Sequence, residues 1–200
     1  DLCDKYGSLL IFDEVITGFR LALDGAQGYF GIKPDLTTFG KIIGAGMPVG
    51  AYGGRREIME VVAPLGGVYQ AGTLSGNPVA MAAGITQLTI LKEHPEYYVN
   101  LNEKADKFFE KLKSEIQKLG LKYQLNHIGS LGCLFFTENP VVNYDTAKAS
   151  DTAAFAKYCR KMYENGVYLA PAQFEAMFVS MAHSEEDLDK VAEAAKLSLV

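Results

Sequence analysis

The sequence predicts an α/β protein in two parts: residues 1–98 belong to a mostly parallel sheet flanked by helices, and residues 99–200 form a smaller α/β domain. Three observations support this prediction. Residues 9–12 are a short, continuous apolar run of the kind that a parallel sheet buries on both faces. After Pro95 the polarity rises, and apolar residues recur at helical spacing until Gly120. Beyond Gly120, strand-like runs alternate with helical ones.

Composition and charge limit the classes of partner. With 48% hydrophobic and 22% charged residues among 200, the chain is an ordinary globular one, long enough for a sizeable core. A net charge of -5 without a basic cluster argues against nucleic acid or an anionic membrane as the main partner. We expect no secretion or transit signal, no transmembrane segment and no metal site, because no residue spacing indicates one. The three cysteines are far apart, which favours a reducing compartment.

The elements predicted for the first part are short and separated by glycine-rich connections. They are a helical turn over residues 1–6, strands over residues 8–12, 36–39 and 49–54, a short helix over residues 55–62 and a longer helix that starts at Pro78. Gly7 ends the first turn, since glycine tolerates the left-handed conformation common at a helix end. Asn77 followed by Pro78 is typical of a capped helix start.

The second part alternates helices with short strands. Its predicted elements are an amphipathic helix from residue 101 to 119, strands over residues 122–125, 131–136 and 167–169, a helix over residues 151–165, and a last helix from Ser184. Gly120 and Gly166 follow two of these helices as expected for their ends. Ser184 with Asp187 three residues later has the spacing of a capping box.

Two polar side chains follow the first two predicted strands. In open α/β sheets, ligands gather at the carboxyl ends of strands, so Asp13 is well placed for function, although a strand cap or turn residue is the alternative. Glu14 points to the opposite face and is predicted to make a structural contact. Lys41 lies in an apolar, glycine-rich stretch, where we expect it to be kept from water and its amine to act as a nucleophile toward carbonyls. The alternative is that Lys41 extends its ammonium to solvent.

A polar loop precedes the helix that starts at Pro78. Residues 69–77 contain Gly72 and Thr73, whose backbone N–H groups and hydroxyl could bind a phosphate, as loops before helix starts often do. The alternative is a well-capped helix with a tight entry.

These features together match the needs of pyridoxal phosphate. The combination is an acid that ends one strand, a lysine 28 residues later, and a Gly-Thr loop before a helix. The aldehyde of this cofactor bonds to a lysine amine, a carboxylate keeps its ring nitrogen protonated, and its phosphate needs hydrogen-bond donors. Each feature is weak alone, and their order along the chain strengthens the prediction.

The segments FDEVITGFR at residues 12–20 and FGK at residues 39–41 resemble the cofactor motifs of class III, fold-type I aminotransferases. Within this class, further segments are similar to the glutamate-1-semialdehyde 2,1-aminomutase family: residues 25–27, 47–59, 69–81 and 170–176. The resemblance covers essentially the whole chain. Because the polypeptides of that family are about twice as long, it implies that this chain is a carboxyl-terminal half, with the second half of the large domain and the small domain.

The resemblance implies a role for each matching residue. Lys41 would bind the cofactor covalently and carry protons, Asp13 would pair with the pyridine nitrogen, and Val15 would pack on the ring face. Gly72 and Thr73 would bind the phosphate of the neighbouring subunit's cofactor, which makes the site a property of a homodimer.

The activity implied is an intramolecular amino transfer that converts glutamate-1-semialdehyde to 5-aminolevulinate in tetrapyrrole biosynthesis. It would use the pyridoxal and pyridoxamine forms of the cofactor, with Glu175 near the substrate. The resemblance places the protein in a bacterial or archaeal cytoplasm or in the plastid stroma, with a small-molecule substrate and neither nucleic acid nor membrane as partner.

Two alternatives stay open. A class III transaminase acting on an ω-amino acid or ketone would share Lys41, Asp13 and Thr73. Many such enzymes hold a substrate carboxylate with an arginine in the carboxyl-terminal domain, and this chain has no arginine after Arg160. The other alternative is a non-catalytic folded fragment.

Overall fold

A computed structural model describes all 200 residues, which form two compact units, Asp1–Tyr98 and Val99–Val200. Each unit contains one three-stranded sheet together with helices. None of the helices combines the length and the apolar character that a membrane span requires.

The first unit contains short elements and one long helix. They are α1 Leu2–Tyr6, β1 Ile11–Asp13, α2 Gly25–Phe30, β2 Leu36–Phe39, a 3₁₀ turn Lys41–Gly44, β3 Ala51–Gly54, α3 Arg56–Met59 and α4 Pro78–Glu93. The sheet has the order β1-β2-β3, in which β1 pairs with β2 in parallel and β2 pairs with β3 antiparallel. Because β1 and β2 are parallel, their carboxyl ends lie at the same edge of the sheet.

Local sequence signals account for several boundaries in this unit. Gly7 ends α1 with a φ of 64°, in the left-handed region predicted for it. Asn77 Oδ1 accepts hydrogen bonds from the N–H groups of Val79 and Ala80, both at 3.1 Å, and so caps α4 as predicted. The strand predicted over residues 36–39 is confirmed at both ends.

Asp35 connects the three strands of this sheet. Its Oδ2 accepts a hydrogen bond from the Leu10 N–H at 2.8 Å, and its Oδ1 accepts one from Arg55 at 2.7 Å. Leu10 directly precedes β1 and Arg55 directly follows β3, so one carboxylate before β2 fixes the relative position of all three. The Leu10 N–H and the Arg55 guanidinium hold the pKa of Asp35 below its usual range.

The expected burial of residues 9–12 on both faces is not found in this chain. Leu9 is 49% and Ile11 56% exposed, because β1 is an edge strand with a partner on one side. The physical requirement for a doubly buried strand, neighbours and layers on each side, is therefore not met by these 200 residues.

The second unit is built around longer helices. Its elements are α5 Glu96–Lys118, β4 Gln124–Ile128, β5 Leu131–Phe135, α6 Tyr144–Lys148, α7 Thr152–Glu164, β6 Met177–Phe178 and α8 Glu185–Ser198. The three strands pair antiparallel in the order β4-β5-β6. The capping box predicted at the start of α8 is present, since Ser184 and Asp187 exchange hydrogen bonds.

One continuous hydrophobic core fills the second unit. The apolar face of α5 packs against residues of β5, α7 and α8. The residues of α5 that are buried match the spacing seen in the sequence: Leu101, Ala105, Phe108, Phe109, Leu112 and Ile116. Helical periodicity therefore identified the main contributor to this core.

One prediction for the second unit is wrong, and one helix of this unit was not predicted. Residues 167–169 form no strand, because the chain leaves α7 through the left-handed Gly166 and the Val167 N–H bonds back to the carbonyl of Met162. The third strand is instead β6, of two residues. The short helix α6 was not predicted, although its capping box between Asn143 and Thr146 is present in the sequence.

Candidate functional site

Asp13 ends β1 and its carboxylate is held at the edge of the sheet. Asp13 Oδ1 accepts hydrogen bonds from the Val15 N–H at 3.0 Å and from the Thr38 hydroxyl at 3.3 Å. Thr38 is the residue of β2 that pairs with Asp13 in register. The side chain is exposed, and its Oδ2 has no hydrogen-bond partner in the chain. The carboxylate is thus oriented through one oxygen and can accept a ligand hydrogen bond with the other.

Lys41 begins the 3₁₀ turn two residues after β2. Its φ of 49° lies in the left-handed region, which is strained for a residue with a side chain and costs about 1–3 kcal/mol. Such strain persists where the surroundings fix the backbone, and it is concentrated at functional sites. The prediction that Lys41 is kept from water is wrong for this chain, because its side chain is exposed. The next two residues of the turn, Ile42 and Ile43, are half-buried and do not cover the lysine.

Val15, which follows β1, contacts the backbone that follows β2. A Cβ placed on Gly40 would lie 3.3 Å from Val15 Cγ1, so the Val15 side chain packs against the backbone directly before Lys41. Asp13, Val15 and Lys41 therefore share one edge of the sheet, as the parallel pairing of β1 and β2 requires.

Glu14 points away from this edge into the unit, as predicted. Its side chain is 1% exposed and accepts hydrogen bonds from the Thr17 hydroxyl at 2.5 Å and from the N–H groups of Ala26 at 2.9 Å and Gln27 at 2.8 Å. Burial alone would raise the pKa of Glu14, but these donors together hold it below its usual value. A Cβ on Gly25 would lie 2.6 Å from the carboxylate, so only glycine fits there. Glu14 anchors the start of α2 beside the end of β1.

The loop with Gly72 and Thr73 is exposed and lies in the same unit. The Gly72 carbonyl accepts a hydrogen bond from the Ser75 N–H at 3.0 Å, which closes a turn before the capped start of α4. No hydrogen bond or ion pair joins this loop to Asp13 or Lys41. The phosphate-binding role of Gly72 and Thr73 thus stays a prediction.

Glu175 belongs to the second unit, in the segment of residues 170–176. It is exposed and lines a cavity of about 650 Å³ together with mostly apolar side chains. The thiol of Cys133, on β5, donates to the Glu175 carbonyl at 3.6 Å. Burial, with a smaller contribution from the charge of Glu175, raises the pKa of Cys133 to about 11.

Gln173 fixes this segment to the sheet and was missed at the level of sequence. Its Nε2 donates to the Leu134 carbonyl at 2.7 Å and its Oε1 accepts from the Phe136 N–H at 3.2 Å. The side chain is 3% exposed and satisfies one backbone group of β5 and one of the residue that directly follows β5. No periodicity or spacing marks such a glutamine, because its partners lie more than thirty residues away.

Titratable side chains do not cluster as metal ligands do. No group of three or more His, Cys, Asp or Glu residues is arranged to hold a metal ion. The chemistry available at the edge of the first sheet is therefore that of one carboxylate, one amine and an apolar side chain between them.

Comparison with known proteins extends these observations. Residues 1–197 match the family model described as aminotransferase class III. The chain is 65% identical over 187 residues to glutamate-1-semialdehyde 2,1-aminomutase 1 of Lachnoclostridium phytofermentans, covering 94% of this chain and 44% of the relative. It is 60% identical to the glutamate-1-semialdehyde 2,1-aminomutase of Ruminiclostridium cellulolyticum, over 100% of this chain and 46% of the relative.

A solved structure described as a transaminase with PLP bound is also similar. It superposes with a TM-score of 0.83 at 32% identity and covers 98% of this chain and 45% of the other. The chain thus spans less than half the length of these relatives.

Proposed function

The chain belongs to the class III aminotransferase family, and from this membership we propose that the intact protein converts glutamate-1-semialdehyde to 5-aminolevulinate by pyridoxal-phosphate-dependent intramolecular amino transfer. The observation that carries the proposal is the shared position of Asp13, Val15 and Lys41 at the ends of two parallel strands. The substrate is inferred from the 65% and 60% identity to two relatives named as glutamate-1-semialdehyde 2,1-aminomutases.

The residues of this edge fit the proposed cofactor. The Asp13 carboxylate is oriented by Val15 and Thr38 and keeps one oxygen for a protonated ring nitrogen. The Val15 side chain offers an apolar surface beside Gly40 for one face of a ring. The exposed amine of Lys41 is accessible to an aldehyde. When bound, pyridoxal phosphate supplies an electron-accepting ring and the aldehyde that exchanges amino groups.

The chain's own residues would then hold and move protons. Asp13 keeps a proton on the ring nitrogen, since a charge-assisted hydrogen bond to a carboxylate favours the protonated form. Lys41 Nζ would act as a general acid and base, carrying a proton from the cofactor carbon that bears the nitrogen to one substrate carbon and later from the neighbouring substrate carbon back to the cofactor. Because the same substrate molecule receives an amino group at one carbon and gives one up at another, no second substrate is needed.

Further parts of the proposal concern assembly and location. Residues 1–98 are proposed to belong to the cofactor-binding large domain and residues 99–200 to the small domain. Thr73, with the Gly72 backbone, is proposed to bind the cofactor phosphate of the neighbouring subunit in a homodimer, and Glu175 to lie near the substrate. The three free cysteines favour the reducing environment of the cytoplasm.

The experiment that tests the substrate compares two activities of the intact protein. Isomerisation of glutamate-1-semialdehyde without an added amino acceptor is measured beside transfer from ω-amino donors to pyruvate. We expect the isomerisation to be faster. Faster transfer to pyruvate would favour the transaminase alternative, and the absence of both activities and of bound cofactor would favour a non-catalytic protein.

A further inference from the structure

The helix α4 touches the backbone of the lysine turn at one glycine. Gly84 is buried, and a Cβ placed on it would lie 2.3 Å from the carbonyl oxygen of Ile43 and 3.4 Å from its carbonyl carbon. Real Cβ atoms essentially never approach an oxygen closer than 3.0 Å, so an alanine would move the turn or the helix by at least about 0.7 Å. The blocking atom belongs to the backbone and cannot rotate away. Ile43 is two residues from Lys41.

The same turn is confined from two other sides. A Cβ on Gly40 would lie 3.3 Å from Val15, and one on Gly44 would lie 3.3 Å from Val49. The left-handed Lys41, at a φ of 49°, begins the turn, and the left-handed Ala45, at a φ of 50°, follows it. Strained residues at both ends indicate a backbone that its surroundings hold in place.

We propose that Gly84 is a positioning residue: by letting α4 approach the carbonyl of Ile43, it sets where the Lys41 amine stands relative to the Asp13 carboxylate. The inference rests on the proposed function for the roles of Lys41 and Asp13. Asp13 is fixed by β1 and Thr38, independently of α4. Movement of the turn therefore changes the lysine's position without changing that of the carboxylate.

An alternative explanation predicts that alanine at this position leaves the rate of adduct formation unchanged. If Gly84 were only tolerated in α4, alanine would stabilise the helix, because glycine is among the poorest helix formers. The test variant is Gly84→Ala in the intact protein. The matched control is Gly53→Ala, in β3, where the added Cβ meets no atom within 4 Å and φ is not in the left-handed region.

Two measurements distinguish a displaced Lys41 amine from a damaged cofactor site. Apo protein is mixed with pyridoxal phosphate, and the covalent adduct, in which the Lys41 nitrogen replaces the aldehyde oxygen and water leaves, is trapped with borohydride and located by mass spectrometry. Binding of pyridoxamine phosphate is measured in parallel, since it has no aldehyde and cannot bond to Lys41. The substrate kcat and KM follow.

For Gly84→Ala we expect adduct formation and kcat to fall by about tenfold or more, since a displacement near 1 Å can lose two orders of magnitude. The affinity for pyridoxamine phosphate and the substrate KM should change less than about twofold, because Gly84 lies away from the Asp13 carboxylate and the Val15 side chain. Gly53→Ala should resemble the unaltered protein. Equal losses of adduct formation and pyridoxamine phosphate binding would show general damage and overturn the inference, as would an unchanged rate of adduct formation.

If Gly84→Ala does not fold, the double variant Gly84→Ala with Val49→Ala keeps the inference testable. Shortening Val49 to alanine removes its Cγ atoms beside Gly44 and gives the turn room to shift. A folded double variant should still form the adduct slowly, and a normal rate there would contradict the inference. An unaltered protein that forms the adduct but does not isomerise glutamate-1-semialdehyde would refute the proposed substrate and leave the role of Gly84 standing.

Discussion

The two units are stabilised in different ways. In Val99–Val200, aromatic and aliphatic side chains from three helices and a sheet form one continuous core. In Asp1–Tyr98, ten residues are buried and five of them are glycine. The buried apolar side chains there are Leu21, Pro34 and Ala80. The first unit therefore depends on close backbone contacts and on buried or oriented carboxylates.

This difference between the units corresponds to where the candidate site residues lie. Apart from Glu175, every candidate site residue lies in the first unit, where glycine lets backbones approach and carboxylates accept several hydrogen bonds each. Such contacts place polar groups accurately, but they bury little apolar surface, and apolar burial supplies most of the folding free energy. We infer that the second unit contributes most of the stability, and that the first contributes a shaped edge, by which we mean the sheet edge with Asp13, Val15 and Lys41. The predictions below test this division, from the largest expected effect to the smallest.

The chemistry of the first unit should depend on one amine. In the intact protein, Lys41→Ala should abolish the borohydride-trappable adduct with pyridoxal phosphate and leave folding largely in place, because the Lys41 side chain is exposed. Lys33→Ala, at another exposed lysine of the same unit, is the matched control and should keep the adduct. Mass spectrometry of the reduced protein locates the modified lysine. An adduct that persists in Lys41→Ala would refute the assignment.

Stability should respond to the same truncation very differently in the two units. Phe109→Ala removes a ring that is 1% exposed in the second unit and should destabilise it by about 3–5 kcal/mol. Phe30→Ala removes a ring that is 59% exposed in the first unit and should change the free energy of unfolding of this chain by less than about 0.5 kcal/mol. Denaturant titration of both variants measures the difference. Comparable losses would show that the first unit also depends on apolar packing.

Sequence patterns predicted the second unit's core better than the first unit's site. The apolar spacing on α5 and the caps at Asn77 and Ser184 are local signals, and the structure confirms them. The contact of Gly84 with Ile43 and the pairing of Gln173 with β5 join residues about forty apart, and no local pattern contains them. Strand β6 was missed for a related reason, since two residues carry no periodicity.

Buried Glu14 should make the first unit sensitive to acid. Its pKa is lower in the folded chain than in an unfolded one, so its contribution to stability is full above the ordinary glutamate pKa of about 4.3 and is lost as the pH falls through the lower, folded value. Glu14→Gln removes the charged acceptor of the hydrogen bonds from the Thr17 hydroxyl and from two backbone N–H groups, and it should destabilise by about 1.5–3 kcal/mol at neutral pH.

The pH dependence distinguishes this role from a packing role. Denaturant midpoints between neutral and acidic pH should fall less steeply in Glu14→Gln than in the unaltered protein. Glu60→Gln is the control, because Glu60 is exposed and makes one ion pair, with Arg56 at 3.8 Å. A Glu14→Gln variant with the original acid sensitivity would show that other groups cause it.

The smallest effect concerns thiol reactivity, which reports packing without changing the fold. The pKa of Cys133 is raised to about 11, first by burial in the second unit and then by the charge of Glu175. The thiolate is the reactive form, so at neutral pH alkylation of Cys133 should be about two orders of magnitude slower than for a thiol with the ordinary pKa of about 8.5. Cys3 lies on α1, which buries none of its residues, and should be labelled first.

Iodoacetamide labelling followed by mass spectrometry gives both rates in one sample, and unfolding in denaturant should make them similar. Glu175→Gln removes the smaller of the two causes and should accelerate Cys133 modestly while leaving Cys3 unchanged. If the native protein labels Cys133 as fast as Cys3, the wall of the cavity around Glu175 opens readily to solvent. The second unit would then be less closed than its core implies, and the division between a packed unit and a shaped edge would fail at the one place where a candidate site residue lies in the packed unit.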